Sequence, residues 1–76
     1  MVDEKLLMAF RSVFENDTLT LDYSENIVNL EGWDSFKNIE LFSEIEDIFH
    51  ISFEIEEIIA MKSIGDIKAI VLKKIG

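Results

Sequence analysis

The sequence contains no cysteine, no proline and only three glycines. Without cysteine there is no disulfide and no thiolate zinc site, so packing alone must hold the fold. Without proline, and with glycine this scarce, the chain lacks the punctuation of a turn-rich β-fold, and long uninterrupted helices are expected. A single histidine, no glycine-rich phosphate loop and no paired-carboxylate pocket leave little with which to build an enzyme. Positive charge is also scarce: seven Lys and Arg stand against sixteen Asp and Glu, for a net charge of −9. Phosphates would be repelled by such a surface, so nucleic acid is excluded as a partner and basic proteins are favoured. No apolar run approaches the ~18 residues of a membrane span, and no basic segment followed by an apolar one opens the chain. A cytoplasmic monomer beginning at its own Met1, with no membrane partner, is the expectation.

What is present suits one small helical domain spanning residues 1–76. Nearly half the residues are apolar, six of them Phe, which is enough for one core. A domain of this size buries only about 60% of its unfolded surface, so modest stability is expected. The charge is uneven. From Lys62 onward four lysines face only Asp66, so the negative potential belongs to the first three quarters.

Asp3 and Glu4 suit the positive end of a helix, and Leu6, Leu7, Phe10, Val13 and Phe14 recur at helical spacing. They predict a first helix over roughly Asp3 to Glu15. From Asn16 to Asp34 the period is lost for longer than most loops in compact domains. Leu19-Thr20-Leu21 alternates like a strand, but a lone strand has no partner for its backbone. The better reading is a loop crossing the bundle, pinned by Leu19, Leu21, Ile27, Val28 and Leu30. Asp17, Asp22 and Glu25 lack the spacing of a calcium loop and offer a divalent ion weak electrostatic attraction only.

A second helix is expected over Ser35 to Phe49, with Ser35, a favoured capping residue, as its N-cap. At about 100° per residue, Leu41, Phe42, Ile45, Ile48 and Phe49 form one core-facing arc, and Lys37, Glu40, Glu44 and Asp47 fall opposite. Phe36 and Ile39 break the division, lying on or beside the acidic face next to Ser35. His50 follows at the negative helix end and receives no chemistry. Ile51, Phe53 and Ile55 suit an extended connector, and Glu56 to Met61 a short third helix. Ser63-Ile64-Gly65-Asp66 has cap-and-acid spacing. Ile64, Ile67, Ile70, Val71 and Ile75 then give a fourth helix its inward stripe, with Lys73 and Lys74 in its last turn. The fold class is thus all-α, a small four-helix bundle of three longer helices and one short third helix.

Asp34-Ser35 followed by an apolar residue, then Ile39-Glu40-Leu41 and an acidic helix ending at Phe49, resembles the acyl carrier proteins. The resemblance covers nearly the whole chain. It implies that Ser35, after Asp34, is esterified to 4′-phosphopantetheine, whose thiol carries an acyl group as a thioester. It implies partners as well: a phosphopantetheinyl transferase, and acyl-transferring, ligating or condensing enzymes with basic docking patches. Asp34 would help that transferase hold a metal ion or orient its complex. Docking would use Phe36 and Ile39 as an apolar centre with Glu40, Glu44, Asp47 and Glu57 around it, and Phe42, Ile45, Ile58, Ile59 and Met61 would line an acyl cleft. Phe36 where leucine is usual, Trp33 before the aspartate, Lys37 where an acid is common and Phe53 where proline is frequent separate the chain from the housekeeping fatty-acid carrier. They favour a free-standing carrier for a specialised pathway: polyketide, fatty-acid-like, peptide-hybrid or surface-glycan acylation. The rival from another class is a non-enzymatic helical adaptor for a basic protein, with Ser35 only a helix cap.

Overall fold

A computed structural model describes all residues from Met1 to Gly76. Four helices run in the order α1 (Val2–Phe14), α2 (Ser35–Phe49), α3 (Ile55–Ala60) and α4 (Ile64–Ile75), with a 3-10 turn at Ile27–Asn29 inside the long loop. There is no strand, and α1 packs chiefly against α2. Leu6, Ala9, Phe10 and Val13 of α1 meet Leu41, Phe42 and Ile45 of α2 and Ile64, Ile67 and Val71 of α4, with Ile27 and Met61 completing the buried core. The inward stripes are narrower than the sequence pattern suggests. Ile48, Phe49 and Ile70 are half-buried, and Ile75 lies at the exposed end of α4.

Two helices end on a left-handed residue other than glycine. Glu15 (φ 51°) and His50 (φ 55°) adopt the left-handed conformation, and the next N–H reaches back into the last turn, Asn16 to the Arg11 carbonyl and Ile51 to that of Glu46, each at 3.1 Å. This is the Schellman arrangement, in which the left-handed residue is usually glycine. α1 begins and ends one residue before the expected span, and α3 does the same, because Glu54 rather than Ile55 ends the extended connector. Ile55, expected in that connector, instead opens α3 and is exposed.

The long loop is structured by its own polar side chains. Asn16 Oδ1 accepts the Thr18 N–H, Asp22 Oδ1 the Ser24 N–H, and Asn26 Oδ1 the Val28 N–H that starts the 3-10 turn. Leu19-Thr20-Leu21 forms no strand; Arg11 Nε donates to the Leu19 carbonyl at 2.8 Å. The rest of the loop is stitched to the α3–α4 junction: Ile27 N–H to the Lys62 carbonyl, Ile64 N–H to that of Glu25, and Gly65 N–H to that of Tyr23, at 3.0, 3.0 and 2.9 Å. Ile27 is buried and Leu19, Leu21 and Leu30 half-buried, as pins must be. Val28 is not a pin: the 3-10 turn directs it outward, 53% exposed.

Lys68 of α4 reaches Asp3 at 2.7 Å and lies over the Tyr23 ring, whose hydroxyl also donates to Asp3. Partial burial, then the Asp3 carboxylate, push the Tyr23 phenol up to about 12. Glu46 is likewise structural, accepting the Phe53 N–H at 2.8 Å and holding that ring edge-on to Phe42.

Candidate functional site at the start of α2

Gly32, at φ 85°, turns the loop so that Trp33 can donate its N–H to the Leu30 carbonyl at 3.1 Å. Asp34 is extended, and its Oδ1 accepts the Lys37 N–H at 2.8 Å. The N-cap of α2 is therefore Asp34, not Ser35, which corrects the sequence expectation. An aspartate caps as well as a serine does, and two adjacent capping residues cannot be ranked from composition. Ser35 becomes the first helical residue, exposed, and no side-chain hydrogen bond of the chain engages its hydroxyl. The backbone N–H groups of Ser35 and Phe36 also find no acceptor within the chain. Free N–H groups at a helix start, with the helix dipole behind them, favour an anion.

Beyond Ser35 the surface alternates apolar and acidic groups. Phe36 and Ile39 are 69% and 67% exposed, Asp47 is exposed, and Glu40 and Glu44 are half-exposed. Phe36, Ile39, Glu40, Ser43 and Glu44 line a groove of about 420 Å³ closed on its far side by Ser12 and Val13 of α1. Lys37 leaves this face: its Nζ donates to the Val13 carbonyl at 2.9 Å. Glu57, expected among the docking acids, is committed elsewhere. Its Oε1 accepts the Glu54 N–H at 2.8 Å and meets Lys74 at 2.9 Å, and those two contacts, the N–H first, hold its carboxyl below the usual range.

Of the residues expected to line an acyl cleft, Phe42, Ile45 and Met61 share one buried cluster with Ile58 packed against it, and Ile59 is exposed. Ile59 and Met61 line a second groove, of about 240 Å³, shared with Asn26, Ile27, Val28, Trp33, Asn38 and Lys62. Helical periodicity could not find it, because half of its wall comes from the irregular loop. The one available signal was the proximity of Trp33 and Asn38 to Ser35. No group of three or more His, Asp or Glu side chains is placed to hold a metal ion, and no helix is long and apolar enough to cross a membrane.

A model of the phosphopantetheine attachment site family matches residues 4–71. No curated sequence matches the chain. Among solved structures, the holo acyl carrier protein of Geobacter metallireducens is 29% identical with a TM-score of 0.87, over 96% of this chain and 84% of that one. A protein of Mycobacterium tuberculosis assigned as an acyl carrier protein superposes as well, with a TM-score of 0.87 at 23% identity, over 96% of this chain and 97% of that one. The start of α2 suits the phosphopantetheine group, since an exposed hydroxyl stands beside unspent N–H donors that can face a phosphodiester. When bound, that group supplies a thiol on which acyl groups ride as thioesters. The chain belongs to the phosphopantetheine-dependent acyl carrier family, whose members present acyl groups to other enzymes and catalyse nothing themselves.

Proposed function

We propose that Ser35 is the attachment residue and that residues 1–76 act as a single, monomeric carrier domain in the cytoplasm. The observation that carries this reading is an exposed serine in the first turn of α2 with free N–H groups around it and an apolar, acid-rimmed face beside it. Asp34 caps the helix through Oδ1 and so fixes the turn of backbone that carries Ser35; the Ser35 oxygen bonds to the phosphorus of the phosphopantetheinyl donor as the donor's own P–O bond breaks, and the hydroxyl proton passes to the transferase. The N–H groups of Ser35 and Phe36 then face the new anion.

Partner enzymes dock on Phe36 and Ile39, with Glu40, Glu44 and Asp47 steering a basic patch toward them. Exposed ion pairs contribute only about 0–1 kcal/mol each, so such contacts give fast, reversible docking suited to a shuttle. Glu57 is left out of this set because Lys74 already holds it. The departures at Trp33, Phe36, Lys37 and Phe53 support a specialised biosynthetic route, of the polyketide, fatty-acid-like or surface-glycan kind, over housekeeping lipid synthesis.

Co-expression with a broad-specificity phosphopantetheinyl transferase, followed by intact mass measurement, tests the assignment. The wild type gains one phosphopantetheinyl increment and Ser35→Ala gains none. An unmodified wild type, or a modified Ser35→Ala, rejects it.

A further inference from the structure

At the pole of the bundle away from Ser35, the start of α1 and the ends of α2 and α4 enclose a groove of about 260 Å³. The fifteen residues of α2 set it about 20 Å from the serine, at about 1.5 Å of rise per residue. Its floor is apolar: Val2, Ile48 and Phe49 are half-buried and packed against the core. Met1 and Ile75, 84% and 45% exposed, form two of its sides. Its polar side chains are Lys5 and His50, both exposed. Lys5 Nζ stands 5.8 Å from the centroid of the Phe49 ring, an attraction that keeps the ammonium over the groove, and no ion pair of the chain engages it. His50, the left-handed residue that ends α2, brings an imidazole N–H, a second donor. Glu4 and Asp47 are near these two residues in sequence but do not line the groove, so in a chain of net charge −9 it is walled by no acid.

This combination has a definite complement. A bare alkyl chain would gain nothing from the two donors, and an inorganic anion would gain nothing from the floor. We propose that the groove binds a free, medium-chain alkyl carboxylate without covalent attachment, its tail along Val2, Ile48 and Phe49 and its two oxygens accepting from the Lys5 ammonium and the His50 imidazole. The volume equals roughly nine waters at about 30 Å³ each, room for a tail of about eight heavy atoms with the headgroup at the mouth. The site is separate from Ser35, so the proposal goes beyond the carrier reading and does not depend on it. Because α1, α2 and α4 each contribute to the walls, a bound ligand joins three helix ends and stabilises the folded chain by mass action.

The test titrates octanoate, octanol and butyrate into the full chain and follows its backbone amide resonances, with thermal unfolding in parallel. Octanoate shifts the amides of Lys5, Phe49, His50 and Ile75 and raises Tm as its concentration rises. Octanol, which lacks the charge, binds about threefold or more weakly, and butyrate, which lacks half the tail, about tenfold or more weakly. Lys5→Met keeps the stem and lowers octanoate affinity about threefold or more, whereas Lys5→Arg, which keeps the charge, retains it. Equal affinity for octanoate and octanol, octanoate shifts that survive Lys5→Met, shifts centred on Trp33 and Ile59 beside Ser35, or no shift at any of these amides overturns the proposal. Binding to phosphatidylglycerol vesicles without a response to octanoate also overturns it and assigns the pole to a membrane surface. The mass test of Ser35 is independent of every one of these results, so either reading can fail while the other stands.

Discussion

Lys37 Nζ donates to the Val13 carbonyl at 2.9 Å, tying the first turn of α2 to the last turn of α1. Val13 belongs to the helix end where carbonyls lack intrahelical partners and where the dipole favours a cation. The lysine also stands 4.0 Å from Glu40. A residue that looks out of place on an acidic recognition face is therefore part of the joint between the two principal helices. Lys37→Met keeps the stem and removes the ammonium, so α1 frays at Val13 and Phe14. The expected loss is about 1 kcal/mol, or a fall of about 4–8 °C in Tm for a domain of this size. Thermal unfolding by circular dichroism measures it. An unchanged Tm would mean that the lysine only decorates the surface.

Glu40 and Glu44 flank the groove that holds Phe36 and Ile39. Reversing both with Glu40→Lys and Glu44→Lys leaves the core untouched and changes the field met by an approaching basic enzyme. Modification of Ser35 slows about tenfold or more at low salt, while helicity is retained. Raising the ionic strength narrows the gap, since the Debye length falls to about 3 Å at 1 M salt. Equal rates for variant and wild type at low salt would remove electrostatic docking.

Glu15 and His50 hold left-handed conformations that glycine adopts without strain. A side chain in that region costs about 1–2 kcal/mol, part of which glycine returns as greater freedom in the unfolded chain. His50→Gly therefore stabilises by several tenths to about 1 kcal/mol. Urea denaturation then shows a higher midpoint with an unchanged slope. Both groups lie at α-helix ends away from Ser35, so modification proceeds as in the wild type.

The helices were legible because their apolar residues recur at a period the core enforces: Leu6, Phe10 and Val13, Leu41 and Ile45, and Ile64, Ile67 and Val71 are all buried. Phe36 and Ile39 stood out for the converse reason, apolar residues on a charged arc with no core to face. What could not be read depends on partners distant in sequence. Val28 points outward because Asn26 caps the turn beneath it, Glu57 is unavailable because Lys74 lies seventeen residues away and reaches back, and the groove beside Ser35 exists because Ile27 pairs with Lys62. Periodicity reports which face of a helix is inward and says nothing of such long-range pairings. The α2 cap illustrates a subtler limit, since Asp34 and Ser35 are equally good capping residues and only the backbone angle at Asp34 decides between them.

Asp66 is one of four carboxylates, with Asp3, Asp22 and Glu57, whose lowered pKa makes stability depend on pH. Its carboxylate accepts the N–H of Lys62 at 3.0 Å and of Ser63 at 3.1 Å, and these, in that order, hold its pKa below the ordinary carboxylate range. A group with a depressed folded-state pKa stabilises fully above its unfolded value and loses that contribution as pH falls through the folded one. Asp66→Asn should therefore be less stable than the wild type at neutral pH, by a gap that is constant down to about pH 4 and then closes as the wild-type carboxylate takes up its proton. Urea midpoints for both proteins across that range measure the gap. A gap that persists undiminished at the acid end would assign it to packing or geometry and not to the carboxylate charge.

Gly65 marks where the loop comes closest to α4. A Cβ built there would stand 2.8 Å from the Tyr23 carbonyl oxygen, the same atom that accepts the Gly65 N–H at 2.9 Å. Backbone, unlike a flexible side chain, cannot swing aside, so Gly65→Ala must push the two segments apart and lengthen or break that hydrogen bond. Overpacking of this kind costs about 1–3 kcal/mol, which outweighs a helix-propensity gain from alanine of about 1 kcal/mol in a helix interior and less at this second position of α4. The displacement also runs along the chain to Ile64, whose N–H holds Glu25, and from there to the Ile27–Lys62 pair that forms one wall of the groove beside Ser35. Gly65→Ala is thus expected to lower Tm and to raise amide hydrogen exchange at Gly65 (now alanine), Ile64 and Ile27 together, with exchange inside α1 and α2 rising only in step with global stability. Faster exchange confined to position 65 would show that the loop and α4 yield locally and that the groove wall does not depend on this contact.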